Sequence, residues 1–140
     1  LVMTLAVFMP VSANAAPKTN QWVNKGGYRY YYNQKGKKVK NKVKQIGKFR
    51  YSFDKKGRMQ TGWQNVNGNW YYLNSKGAMQ TGWLLKEGKY YFLNTDGTMA
   101  YGWVNTQGNW YYFQKPDGDM LTNAYAPDGR YVNAEGVLIQ

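Results

Sequence analysis

Between residues 61 and 121 the apolar and polar positions recur in three near-identical phrases: TGWQNVNGNWYYLNSKGAMQ, TGWLLKEGKYYFLNTDGTMA and YGWVNTQGNWYYFQKPDGDML. Within a phrase the pattern is that of short strands bounded by glycine turns. Gly62 to Val66 reads as one strand, Asn67-Gly68 as a two-residue turn, and Asn69 to Asn74 as the returning strand with Trp-Tyr-Tyr-Leu. Ser75-Lys76-Gly77 then directs the chain into the next unit. Glu87-Gly88 and Gln107-Gly108 occupy the hairpin turn in the following copies. With Asn67 and Gly68 as the loop, Asn65 opposes Trp70, Gln64 opposes Tyr71 and Trp63 opposes Tyr72. Side chains alternate along a strand, so Trp63, Trp70 and Tyr72 share one face and Tyr71 takes the other. In the next unit Trp83, Tyr90 and Phe92 share the first face and Tyr91 the second.

Weaker copies extend the array. Residues 20–40 keep Trp22, Tyr30, Tyr31, Tyr32 and Gly36; residues 41–60 keep Tyr51, Gly57 and Met59 but carry Val43 in the Trp63 position. Residues 122–140 form a truncated last copy with Ala124 there. A unit of this size cannot bury its own aromatic face, so neighbours must stack into a continuous core. The expected fold is therefore all-β, a β-solenoid of stacked β-hairpins. Its parts would be two divergent basic repeats over 20–60, three well-formed repeats over 61–121 and a capping repeat over 122–140. Tyr72, Phe92 and Tyr112 are the expected inter-repeat core.

Stacking in order would bring the Trp63/Trp70 face of one unit against the Tyr91 face of its successor, with Met79 of the connecting loop nearby. Three rings would then converge with no carboxylate among them. Such a box suits a quaternary ammonium ion, which donates no hydrogen bond and is held by ring quadrupoles and burial of its methyl groups. Each ring contributes about 0.5–2 kcal/mol, so one site is weak, on the order of millimolar. An array raises the affinity by engaging several ligands on one polymer.

Composition removes most competing chemistries. There is no His and no Cys, which excludes thiolate nucleophiles, imidazole bases, disulfides and His/Cys metal sites. The seven carboxylates, Asp54, Glu87, Asp96, Asp117, Asp119, Asp128 and Glu135, lie mostly beside turn glycines. No repeated pair is held for glycoside hydrolysis. No phosphate-cradling glycine motif occurs. The expectation is a protein with no catalytic residues, no metal and no cofactor.

The run over residues 1–15, ending Ala13-Asn14-Ala15, has the apolar segment and small-residue cleavage site of a signal peptide, followed by a short linker over 16–19. It is shorter than a bilayer span of about 20 residues and contains Pro10. The basic segment and initiator Met are missing from it, so the chain is expected to begin inside the signal, and the mature protein to be secreted. Net charge is +12, unevenly placed: residues 18–58 hold 14 of the 19 basic residues and one acid, while the rest carries five bases against six acids. The block containing Lys35, Lys37, Lys38, Lys40, Lys42, Lys44 and Lys48 is either a solubilising cap or a surface for a polyanion such as a phosphate-rich polymer. Nucleic acid does not fit a secreted chain.

Gly-Trp, then Asn-Trp-Tyr-Tyr, then Gly-Ala-Met at this period resembles the choline-binding, or cell-wall-binding, repeat of streptococci, pneumococci and their phages. The likeness runs over about residues 20–140 and is most specific in 61–121. It implies a non-catalytic protein held non-covalently at the cell surface by phosphocholine of teichoic or lipoteichoic acid. The cages it implies are Trp63, Trp70, Met79 and Tyr91; then Trp83, Tyr90, Met99 and Tyr111; then Trp103, Trp110 and Met120, closed by Tyr131 or Tyr125. Val43 and Arg50 remove both cage rings from the second unit, and Arg29 falls in the Trp70 position of the first, so neither N-terminal junction is expected to take choline. The resemblance also allows a homodimer through terminal hairpins. Related repeats bind glucan, with ring stacking and polar partners such as Asn65, Gln64 or Asn105. Others serve as the wall-anchoring part of a larger cell-wall hydrolase, which here would place a catalytic portion beyond Gln140.

Overall fold

The computed structural model describes residues 16–140; the run expected to be a signal peptide lies outside them. Among the described residues the chain is all-β, twelve strands forming six antiparallel hairpins in chain order. The first four are β1 (Gln21–Lys25) with β2 (Tyr28–Tyr32), β3 (Lys42–Ile46) with β4 (Phe49–Phe53), β5 (Gly62–Val66) with β6 (Asn69–Leu73), and β7 (Gly82–Lys86) with β8 (Lys89–Leu93). Then come β9 (Gly102–Thr106) with β10 (Asn109–Phe113) and the short pair β11 (Ala124–Tyr125) with β12 (Tyr131–Val132).

The register is the one a two-residue loop dictates. Trp63 faces Tyr72, Gln64 faces Tyr71 and Asn65 faces Trp70. At the turn both central residues are left-handed, Asn67 at φ 53° and Gly68 at φ 87°, the geometry that matches strand twist in tight hairpins. Glu87 and Gln107 adopt the same conformation at φ 50° and 53°, although neither is a favoured left-handed residue. Repeat packing overrides local preference there.

After each hairpin the chain makes a second turn, capped in four units by an Asn or Asp side chain. Asn74 Oδ1 accepts from the Lys76 and Ala78 N–H groups; Asn33, Asp54 and Asn133 do the same in theirs. This is the local backbone capping for which these residues are favoured in turns. The segment beyond the turn joins neighbouring units. Gln80 N–H donates to the Tyr72 carbonyl of its own unit, while Met79 N–H donates to the Arg50 carbonyl of the unit before. Met99 repeats this on Trp70, and Met120 on Tyr90.

The deepest core is a column made of the last residue of each returning strand from β4 onward: Phe53, Leu73, Leu93, Phe113 and Val132, all at 2% exposure or less. Tyr72, Phe92 and Tyr112, expected to fill that role, are half-buried instead. Alternation explains the difference. Leu73 and Tyr72 lie on opposite faces of the strand, Tyr72 sharing the Trp63 face, and Leu73 pairs with Met79 of the segment beyond the turn. In the last four units the glycine of the second turn packs against a methionine from the preceding unit: a Cβ on Gly97 would lie 2.5 Å from Met79 Sδ, and one on Gly118 2.5 Å from Met99 Sδ.

Candidate functional site

Except at the second junction, where Val43 replaces the ring, the Trp face of one hairpin meets the following hairpin. Between the third and fourth units the Trp63 ring meets Tyr72 at 5.1 Å and Tyr91 at 5.0 Å, both edge-on at 66–68°. Trp70 stands beside them, 38% exposed. The rings therefore form the walls of a cleft rather than a flat stack. A cavity of about 410 Å³ opens there, lined by Trp63, Trp70, Tyr91, Met99, Lys89, Pro116 and Asp117. Between the fourth and fifth units Trp83 meets Tyr90 at 6.1 Å and Tyr111 at 4.8 Å, near perpendicular. Trp83, Tyr90, Tyr111 and Met120 there line about 490 Å³, with Gly88, Thr122, Ala134 and Glu135. Both volumes fall within the range of small-molecule clefts, roughly 300–1,000 Å³.

The ring sets are those expected, but the methionines are displaced by one unit. Met99, not Met79, lines the Trp63 cavity, and Met120, not Met99, lines the Trp83 cavity. The reason is the direction taken after the second turn. The Met79 segment folds back onto the unit before it, through the bond to Arg50, so Met79 is buried at the second-to-third junction, where the rings are missing. The period alone does not reveal this, because a 20-residue spacing is the same in either direction.

The expected third cage is assembled differently. The position equivalent to Tyr91 and Tyr111 is held by Arg130, not by Tyr131 or Tyr125, which pack on each other at 4.9 Å. Its guanidinium lies 4.3 Å from the Trp103 ring centroid. Asp128 holds it by two bonds of 2.6 and 2.8 Å and accepts the Trp103 indole N–H at 2.8 Å. The Arg130 hydrogen bonds, more than any other contact, draw the Asp128 carboxyl down to about 2. Met120 belongs to the second cavity, and Leu138 takes the corresponding place, bonding the Trp110 carbonyl.

A guanidinium fills the first junction too. Trp22 lies 4.9 Å from Tyr51, and Arg29 stacks over Trp22 at 4.1 Å. At the second junction, where Val43 and Arg50 replace the rings, Arg50 Nη2 reaches the Thr95 carbonyl at 3.4 Å. A positive charge from the chain itself thus stands at three junctions, and two junctions are open clefts.

Sequence reasoning missed the acids on the rims. Asp117 and Glu135 come from the second turn of the unit two steps further on, immediately before its glycine. The signal was present in the series at that position: Lys35, Lys56 and Lys76, then Asp96, Asp117 and Glu135. Reading those acids as turn formers alone concealed the change of sign.

The family model for the choline-binding repeat matches residues 60–96 and 87–125. Among curated proteins none matches the chain by sequence. Choline binding protein F of Streptococcus pneumoniae, solved with a peptidoglycan analogue, is 37% identical with a TM-score of 0.78; the match covers 85% of this chain and 39% of that one. The pneumococcal cell-wall endolysin of phage Cp-1, solved with choline, is 33% identical with a TM-score of 0.61, over 86% of this chain and 37% of that one. The choline-binding domain of Spr1274 from Streptococcus pneumoniae is 38% identical with a TM-score of 0.53; the match takes in 96% of that domain and 58% of this chain. The chain spans about two fifths of the length of choline binding protein F. The repeat period, the stacked hairpins and these likenesses place the chain in the choline-binding repeat family.

Proposed function

We propose that this protein is a secreted, non-catalytic attachment module that holds phosphocholine of teichoic or lipoteichoic acid in the two open cages. The observation that carries this reading is the pair of clefts walled by three rings and a methionine, Trp63/Trp70/Tyr91/Met99 and Trp83/Tyr90/Tyr111/Met120. Edge-on packing of the walls leaves ring faces turned to the cleft, which is what a methylated cation needs. The Arg29 and Arg130 guanidinium groups stacked on equivalent tryptophans support the idea that this place in the junction favours a cation.

The glucan alternative requires free polar groups beside the rings, and two of the three expected to serve, Gln64 and Asn65, are engaged elsewhere. Gln64 donates to the Thr61 carbonyl and accepts from Gln60. Asn65 Oδ1 accepts the Gly68 N–H of its own turn. Polyanion contact through the Lys35–Lys48 face would add a salt-sensitive attraction to the same phosphate-bearing polymer.

The test is retention on an immobilised choline analogue, with elution by free choline, beside a dextran column. Release by millimolar choline is the expected result. Retention on dextran with none on the choline analogue would reverse the assignment.

A further inference from the structure

The two open cages differ in the charge at their rims. Lys89 and Asp117 both line the first, whereas Glu135 is the one charged side chain among the described residues lining the second. In the second cage the position of Lys89 belongs to Asn109, which does not line the cavity. The acids are equivalent, each standing before the glycine of the second turn two units on.

The second-to-third junction places a cation of the chain itself beside the equivalent turn. Arg50 stands at the Trp70 and Tyr90 position, and its guanidinium reaches the carbonyl of Thr95, the residue equivalent to Pro116 and Ala134. The neighbouring Asp96 is equivalent to Asp117 and Glu135. Its carboxyl is held below the usual range, chiefly by the Thr98 hydroxyl and N–H, with a further contribution from Arg50. A positive group in this place therefore reaches the turn of the unit two steps ahead, the turn that carries the acid.

Resting on the reading of these clefts as quaternary ammonium cages, we propose that they select by the charge carried next to the ammonium. The first, with one acid and one base, takes a zwitterion in which an anionic phosphodiester adjoins the methylated nitrogen. The second, with an acid alone, holds the ammonium of the same ligand with a lower preference for the adjoining phosphate. Lys89 is the specificity-determining residue of the first cage and Glu135 that of the second. The acid holds the same place in both cages, so Lys89 sets the difference between them; an exposed charge pair changes affinity by a factor of about 1.4–5, and the cages are separated by roughly that factor.

The intact chain can be titrated with choline chloride and with glycerophosphocholine at low salt, following the methyl resonances of Met99 and Met120, one in each cage. The expected result is a glycerophosphocholine-to-choline affinity ratio about 1.4–5-fold higher at Met99 than at Met120. Lys89→Gln should lower the ratio at Met99 alone, Glu135→Gln should raise it at Met120 alone, and about 0.5 M salt should narrow the gap. Equal ratios at the two methyls, or a difference that survives both substitutions, overturns the inference and leaves choline binding standing. If neither methyl responds to choline, the proposed function falls and this inference with it.

Discussion

At the scale of single residues, what distinguishes one junction from the next is whether a guanidinium or a ring occupies a given place. Arg29 and Trp70 are equivalent in register, each opposite an asparagine of the partner strand. Trp22, Tyr51 and Met59 already surround the first place, and Met59 N–H bonds the Arg29 carbonyl. Arg29→Trp should complete a third cage, raising the choline stoichiometry in calorimetry from two to three per chain. The new site should be the weakest, because Lys76 holds the position of Asp117. The clamp at the other end depends on pH. Asp128 binds its proton less tightly folded, at about 2 against 3.8 for the free side chain, because of the Arg130 bonds. Its contribution is thus complete above about pH 4 and disappears as pH falls through 2. The indole N–H resonance of Trp103 should move across that interval, and Asp128→Asn should abolish the movement.

At the scale of the element, the hairpin was legible in the sequence and its surroundings were not. Asn67-Gly68 sets the loop length, loop length sets the register, and register puts Trp63 and Trp70 on one face of their hairpin; each step is local. The methionine assignment required the path of the chain after Gly77, which is settled by contacts between units. The column of Leu73, Leu93 and Phe113 was hidden among more conspicuous aromatics for the same reason. A change at the second turn should accordingly act on stacking. Gly97 is left-handed at φ 89°, and an added methyl would lie 2.5 Å from Met79 Sδ and 3.2 Å from Tyr71 Cδ1. Gly97→Ala should cost about 1–3 kcal/mol, combining backbone strain with displacement of the methionine. Urea denaturation would measure this directly.

At the scale of the molecule, each cleft draws on three consecutive units: two rings from one, a ring and a methionine from the next, and a turn from the third. Deleting residues 122–140 should therefore damage a site whose principal rings it leaves in place. Thr122, Ala134 and Glu135 would go from the second cavity, while every residue lining the first remains. Calorimetry should find one strong choline site in the shortened chain, and an unchanged number of equally strong sites would refute the three-unit description. Such overlap also bears on how arrays of this kind lengthen by duplication. A copied module inserted inside the series completes its own cleft with parts already present, so capacity grows by one for each module gained. The shortest array able to offer a finished cleft is three modules long, and the last two serve as its scaffold.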